Sequence, residues 1–126
     1  MYRTACIYEM LSYLLDGYND SDADILIDKA IGYIEAQYCE KLTVTDVAAA
    51  VGLERSYFST VFKQKTGASP HEYINRLRVQ KACIMLKQHP GSIASVADAV
   101  GLDGQNFARI FKREMGISPL GYKKSV

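Results

Sequence analysis

The feature of this sequence that most constrains its fold is an internal repeat. Residues 42–73 align with residues 91–122 at a constant offset of 49, without a gap, and 13 of the 32 aligned pairs are identical. The identical pairs include two glycines, two phenylalanines and a Ser-Pro dipeptide from each copy. The repeat indicates that one supersecondary unit occurs twice. Two copies are too few for a solenoid, so we expect a paired binding element.

The first copy carries the signals of two helices separated by a tight turn. Thr43 is a candidate N-cap, with Asp46 three residues later as an acidic capping-box partner. Gly52 ends that helix, because glycine adopts left-handed backbone angles without a Cβ clash. A second helix is predicted over residues 55–65, with Gly67 at its end.

The second copy repeats these signals. Ser92 and Asp103 are the candidate N-caps, and Gly101 and Gly116 end the two helices. In both copies a Ser-Pro dipeptide then opens another helix, with serine as N-cap and proline at the first helical position. The inward faces of the two second helices have i, i+3, i+4 spacing. They consist of Phe58, Val61, Phe62, Phe107, Ile110 and Phe111.

The segments outside the repeat also favour helices. Residues 70–88 are apolar nearly all round, which predicts a long, buried strut between the copies. Residues 24–38 carry one apolar stripe and fit a support helix, and residues 2–15 are amphipathic. Residues 16–24 contain four Asp residues together with Gly, Asn and Ser, which is typical of an acidic linker.

These patterns predict an all-α fold with two helix-turn-helix subdomains joined by a long central helix. We expect about seven helices, plus the N-terminal amphipathic helix. Residues 1–23 form the expected N-terminal helix and acidic linker, and residues 24–126 form the double helix-turn-helix domain. That domain divides into a first subdomain, a linker helix and a second subdomain, at residues 24–69, 70–89 and 90–126.

Charge is divided unevenly along the chain. The formal net charge is +1, but residues 1–40 contain two basic and eight acidic residues, whereas residues 41–126 contain thirteen basic and six acidic residues. The net charges of the two parts are therefore −6 and +7. Such a split favours a polyanion-binding body with an acidic attachment, and a solvated basic face is the alternative interpretation.

Cysteine and histidine usage argues against a metal site or an enzyme. The three cysteines form no C-x-x-C pair, and His71 and His89 lie 18 residues apart. No nucleophile, base and orienting group are brought together, so we expect no cofactor, metal or catalytic centre. There is no signal peptide and no apolar run near the roughly 20 residues that span a bilayer. A cytoplasmic location without membrane contact is therefore expected.

The outward faces of the second helices indicate a partner. In a helix-turn-helix, the second helix enters the major groove of DNA. Its outward positions carry hydroxyls and a lysine in the first copy, and amides, an arginine and a lysine in the second. Amides bond adenine and arginine bonds guanine, so the second copy is predicted to read more bases. The positions are Ser56, Ser59, Thr60 and Lys63, then Gln105, Asn106, Ala108, Arg109 and Lys112.

The length of the helix predicted over residues 70–88 is compatible with two recognition helices that bind one DNA duplex. About 18 helical residues span roughly 27 Å at 1.5 Å per residue. Successive major grooves on one face of DNA are about 34 Å apart. With modest bending of the DNA, a strut of this length would let one chain read two adjacent grooves.

Two stretches of the chain resemble a known family. They are TVTDVAAAVGLERSYFSTVFKQKTGASPHEYINRLRVQKACIML and SIASVADAVGLDGQNFARIFKREMGISPLGYKK. Over residues 27–124 the chain is similar to the C-terminal DNA-binding domain of AraC/XylS-type bacterial transcription regulators. The most specific signature is A-x-x-x-G, then F-x-x-x-F-K, then G-x-S-P-x-x-Y and a basic residue.

The resemblance implies a sequence-specific regulator that contacts double-stranded DNA through both second helices. It also implies a preceding sensor or dimerisation domain, whose last helix residues 1–18 resemble and through which two copies would pair. Contact with RNA polymerase is a further family expectation. The implied base contacts are Ser56, Ser59, Thr60, Gln105, Asn106 and Arg109, and the implied phosphate contacts are Arg55, Lys63, Lys65, Lys112, Arg113 and Lys123.

One alternative from another functional class stays open at this point. A helical bundle with a basic face would also suit a protein-interaction module that docks an acidic partner. Binding to a protein that is insensitive to salt, without affinity for duplex DNA, would favour that alternative.

Overall fold

The computed structural model describes residues 20–88 and 91–125, and within them it contains seven α-helices and no β-strand. The prediction of an all-α fold is confirmed. The amphipathic segment at residues 2–15 lies outside the described residues. The helices are α1 (Asp20–Gln37), α2 (Val44–Ala50), α3 (Arg55–Thr66), α4 (Pro70–Gln88), α5 (Ile93–Ala99), α6 (Gly104–Met115) and α7 (Pro119–Ser125).

The described residues divide into two compact units, each of which contains one copy of the repeat. The first unit comprises residues 20–36 and Leu42–Tyr73, and therefore holds α1, α2, α3 and the first turn of α4. The second unit comprises Gln37–Lys41 and the described residues from Ile74 onward, and holds the rest of α4 with α5, α6 and α7.

The core of each unit contains the same aromatic row. In the first unit the rings of Phe58 and Phe62 are 5.4 Å apart, and Tyr73 meets Phe62 edge-on at 5.3 Å. In the second unit Phe107 and Phe111 are 5.6 Å apart, and Tyr122 meets Phe111 at the same distance. All four phenylalanines are fully buried. The prediction that they form core, with Val61 and Ile110 beside them, is confirmed.

The predicted helix ends are confirmed at both copies. Thr43 and Asp46 form a complete capping box at the start of α2. Ser92 caps α5, and its side chain accepts a hydrogen bond from the backbone N–H of Ser95. Gly67 and Gly116 end α3 and α6 in the left-handed conformation. These caps satisfy backbone groups that a helix leaves without intrahelical partners.

Helix α1 begins earlier than the sequence predicted. It starts at Asp20, so residues 20–24, which were expected in the acidic linker, are helical. Asp22 and Asp24 fall in the first two turns of the described helix, where negative charge interacts favourably with the positive end of the helix dipole. The composition that suggested a linker is therefore also compatible with a helix N-terminus.

Helix α4 spans the predicted residues, but the prediction of burial nearly all round is wrong. Ile84 is 49% exposed, although Ile74, Val79, Ala82 and Leu86 are buried. The helix is therefore amphipathic, because its outward positions carry mainly polar side chains. These positions are His71, Glu72, Arg76, Gln80, Ile84, Lys87 and Gln88.

Arg78 lies on the buried face of α4 and anchors the segment that precedes α2. It is only 7% exposed. Its Nε donates to the carbonyl of Tyr38 at 2.8 Å, and its Nη2 donates to the carbonyl of Glu40 at 3.0 Å. Burial lowers the pKa of Arg78, and the two carbonyls compensate for lost hydration. This side chain therefore holds Gln37–Lys41 within the second unit.

Candidate nucleic-acid interface

The two candidate recognition helices, α3 and α6, are built alike from the repeat. Each has 12 residues, is preceded by an acidic N-cap and ends at a left-handed glycine. The buried phenylalanines fix which side of each helix faces inward, since residues three and four apart lie on one face. The opposite side is therefore available to a ligand.

Acidic side chains cap both recognition helices. Glu54 accepts hydrogen bonds from the backbone N–H groups of Ser56 (2.9 Å) and Tyr57 (3.1 Å). Asp103 accepts from the backbone N–H of Asn106 at 3.0 Å. These backbone bonds hold the pKa of each carboxyl below its ordinary value, Glu54 through Ser56 first and Asp103 through Asn106. The negative charge of each carboxylate lies at the positive end of the helix dipole and reinforces the helix start.

The outward face of α6 is exposed along its whole length. It combines amide, guanidinium and ammonium groups, which are the groups that bond base edges and phosphates in DNA. No buried side chain interrupts it. Its members are Gln105, Asn106, Ala108, Arg109, Lys112 and Arg113.

The corresponding face of α3 is less open. Ser56 and Lys63 are exposed, but Ser59 and Thr60 are half-buried. The hydroxyl of Thr60 also donates to the carbonyl of Ser56 at 3.0 Å, so its oxygen keeps the capacity to accept while its hydrogen is already used. The structure therefore brings the predicted hydroxyls together on one helix face, with fewer free donors than α6.

Three polar side chains at the start of α6 form a continuous hydrogen-bonded chain. The Nδ2 of Asn106 donates to Oδ2 of Asp103 at 2.7 Å. The Nη2 of Arg109 donates to Oδ1 of Asn106 at 3.0 Å. Arg109 is thus held by its own helix before any ligand arrives.

The predicted phosphate contacts fall into two groups. Arg55, Lys63 and Lys112 are exposed, and neither lysine forms an ion pair with another described residue. Three other cations have partners within their own unit. Lys65 pairs with Asp24 at 3.0 Å, Arg113 lies 3.8 Å from Glu114, and the ammonium of Lys123 donates to the carbonyl of Gly91.

Sequence reasoning missed two residues at the first recognition helix. Glu54 was not identified as a cap, although its counterpart at the offset of 49 is the predicted cap Asp103. Tyr57 is 1% exposed, whereas its counterpart Asn106 is exposed. The alignment of the two copies could therefore have identified Glu54 as a cap, but it gave no indication that Tyr57 is buried.

The described residues form neither a cluster of metal-ligating side chains nor a membrane-spanning helix. Within residues 20–88 and 91–125, no three His, Cys, Asp or Glu side chains are grouped so that they could hold a metal ion. Across the same residues, none of the helices combines the length and apolar character needed to cross a membrane.

Comparison with known sequences identifies relatives that share this region. The family model described as Helix-turn-helix domain matches residues 41–125. The chain is 34% identical over 83 residues to the HTH-type transcriptional regulator MtrA of Neisseria gonorrhoeae, a match that covers 66% of this chain and 26% of MtrA. It is 37% identical over 60 residues to the lactose operon transcription activator of Staphylococcus xylosus, covering 48% and 22% of the two proteins. The chain thus spans about a quarter of the length of these relatives.

Two solved structures have a similar fold. The C-terminal domain of AraT, a response regulator from Geobacillus stearothermophilus, matches with a TM-score of 0.78 and 28% identity, over 80% of this chain and 85% of that domain. A transcriptional regulator from Chromobacterium violaceum, described as an AraC-type DNA-binding domain-containing protein, matches with a TM-score of 0.74 and 27% identity. That match covers 84% of this chain and 96% of the other.

Proposed function

Because the chain belongs to the AraC-type helix-turn-helix family of transcription regulators, we propose that it binds double-stranded DNA in a sequence-specific manner. In this proposal α3 and α6 enter adjacent major grooves of one duplex. Helix α4, with 19 residues, spans roughly 28 Å and joins the two units that carry them. The observation that carries the proposal is the exposed face of α6, which places Gln105, Arg109 and Lys112 on one side of the helix.

In this proposal, α6 contacts more bases than α3 does. Arg109 can donate two parallel hydrogen bonds to O6 and N7 of guanine, and Gln105 can bond adenine through both ends of its amide. On α3, Ser56 can donate a hydrogen bond, whereas Ser59 and Thr60 are half-buried. We therefore assign most of the sequence preference to α6, with α3 contributing contacts to fewer bases and to DNA shape.

In this proposal, the affinity for DNA comes mainly from the lysine and arginine side chains near the base-reading residues of α3 and α6. Lys63 and Lys112 lie one turn beyond the base-reading positions, where the helix approaches the phosphate backbone. Arg55 at the start of α3 and Arg113 on α6 extend this contact. Lys65 and Lys123 join the interface by exchanging their present partners for phosphate oxygens.

The relatives are longer regulators, and the family carries expectations beyond DNA binding. The relatives are about four times as long as the matched region, so a sensor or dimerisation domain, contact with RNA polymerase and pairing of two copies remain expectations of the family. A DNA-binding regulator of this kind acts in the cytoplasm and carries no catalytic activity. Gel shifts with core RNA polymerase and the cognate duplex test the polymerase contact.

Replacing Arg109 by alanine tests the base-reading role. The expected loss is about 1–3 kcal/mol of binding free energy on a duplex selected for binding, with relaxed preference at one base pair. Lys63→Ala is the matched control, because a phosphate contact carries no sequence information and its loss weakens selected and random duplexes alike. Competition gel shifts with the two duplexes measure both effects. Equal losses on both duplexes for Arg109→Ala would refute its role as a reader.

A further inference from the structure

The hydrogen bonds at the start of α6 fix the amide of Asn106 in one orientation. Its Nδ2 donates to Asp103 at 2.7 Å, and its Oδ1 accepts from Arg109 at 3.0 Å. If the amide were turned over, its NH₂ group would face the Arg109 donor and its oxygen would face the Asp103 carboxylate. Both contacts would then be repulsive, so the three side chains specify one arrangement.

This arrangement occupies the two groups that an asparagine uses to read a base. An asparagine that bonds adenine bidentately needs both its NH₂ group and its oxygen. In Asn106 each already has a partner within the helix. Arg109, in contrast, gives one N–H from Nη2 to Asn106 and retains further donors on its planar guanidinium.

Resting on the proposed function, we infer that Asn106 is a positioning residue, which holds the guanidinium of Arg109 ready for a guanine and does not itself read a base. Asp103 supports it from the N-cap position. A guanidinium that is held before binding loses less side-chain freedom when it meets its two acceptors, so preference for the correct base is strengthened. The backbone N–H of Asn106 also donates to Asp103, which lowers the pKa of that carboxyl.

The first copy of the repeat carries different residue types at the three equivalent positions. At the offset of 49, Glu54 replaces Asp103, Tyr57 replaces Asn106 and Thr60 replaces Arg109. Tyr57 is buried, and Glu54 accepts hydrogen bonds from the backbone N–H groups of Ser56 and Tyr57 and from the side chain of Ser56. Because Asn106 and Arg109 have no counterparts of the same residue type in α3, a cap substitution there provides a matched control.

The test compares base preference among variants of the full chain. A duplex is first selected from a random pool, and the affinity of each variant is measured with all four base pairs at every position. Arg109→Ala identifies the base pair that Arg109 reads. Asn106→Ala is expected to weaken preference at that same base pair by about two- to fivefold, the range for an exposed polar pair. The double variant is expected to bind no worse than Arg109→Ala alone, because Asn106 acts through Arg109.

Two further variants separate positioning from helix stability. Asp103→Ser keeps an N-cap but removes the carboxylate oxygen that holds Asn106, so it is expected to weaken preference at the same base pair. Glu54→Ser makes the corresponding cap change in α3 and is expected to leave that preference unchanged. Thermal unfolding of each variant shows whether the fold is retained.

The inference and the proposed function fail in different ways. If Asn106→Ala changes preference at a different base pair, or if its loss multiplies that of Arg109→Ala, Asn106 reads DNA by itself and the inference is overturned. If Arg109→Ala alters preference at no base pair, the reading role of α6 is overturned, and the inference with it. Measuring Arg109→Ala by itself therefore shows whether the reading role of α6 fails or only the positioning role of Asn106.

Discussion

Raising the salt concentration from about 50 to about 200 mM is expected to weaken binding to duplex DNA by about 1000-fold. The effect arises because each cation that neutralises a phosphate releases condensed counterions. Six such contacts give a slope near −5 in a plot of log K against log salt. The six cations proposed to make these contacts are Arg55, Lys63, Lys65, Lys112, Arg113 and Lys123.

Fluorescence anisotropy of a labelled duplex across a salt series measures this slope. Lys63→Ala is expected to make it shallower by about one, because one phosphate contact is lost. Lys29→Ala, which removes an exposed cation from α1 outside the proposed contacts, is expected to leave it unchanged. Binding that hardly depends on salt would instead favour the alternative of a protein-interaction module.

Replacing Gly101 by alanine is expected to destabilise the protein by about 3–5 kcal/mol. Gly101 has a φ of +84°, which costs any L-residue energy, and a Cβ there would lie 2.8 Å from the carbonyl oxygen of Tyr38 and 3.0 Å from the carbonyl carbon and oxygen of Cys39. These are backbone atoms, so no side-chain rotation relieves the clash. The same segment is held by the bonds from Arg78 to the Tyr38 and Glu40 carbonyls, so moving it breaks them.

Gly52→Ala is the matched control for this prediction. Gly52 occupies the same place in the first copy and also has positive φ, at +72°, but a Cβ there meets nothing within 4 Å. The expected loss is therefore only the backbone cost of about 1–2 kcal/mol. Urea unfolding followed by circular dichroism compares the two. Equal losses would show that the Gln37–Lys41 segment yields easily and that its anchoring by Arg78 is weak.

The sequence was informative wherever local chemistry decides the structure. The caps at Thr43, Ser92 and Asp103 and the glycines that end α3 and α6 follow from backbone hydrogen bonding and from the freedom of glycine, which act over a few residues. The inward phenylalanines follow from helical periodicity. The repeat supports these predictions further, because the glycines and phenylalanines occur in both copies at the same offset.

The departures arise where packing between elements decides. Ile84 is apolar but lies on the outer side of α4, and composition alone did not reveal that side. Arg78 is charged but lies inward, and the signal was available, because it shares a stripe with the buried Ile74 and Ala82 at spacings of four. The partners of Arg78 are carbonyls some 40 residues away in sequence, which no local pattern identifies.

At the candidate interface, the sequence predicted which residues face outward but not how they are linked. Gln105 and Arg109 are exposed as the periodicity requires. The bond from Arg109 to Asn106 depends on which rotamers the side chains adopt, and spacing does not fix these. The half-burial of Ser59 and Thr60 likewise depends on neighbouring elements.

Selection of bound duplexes from a random pool tests the central claim most directly, namely that a duplicated unit lets one chain read two neighbouring grooves. The account predicts enriched duplexes with two blocks of preferred bases whose centres lie about 10 bp apart, bound by a single chain. The block that loses definition with Arg109→Ala should be the more strongly specified of the two. A single block, or a pool without enrichment, would contradict the account.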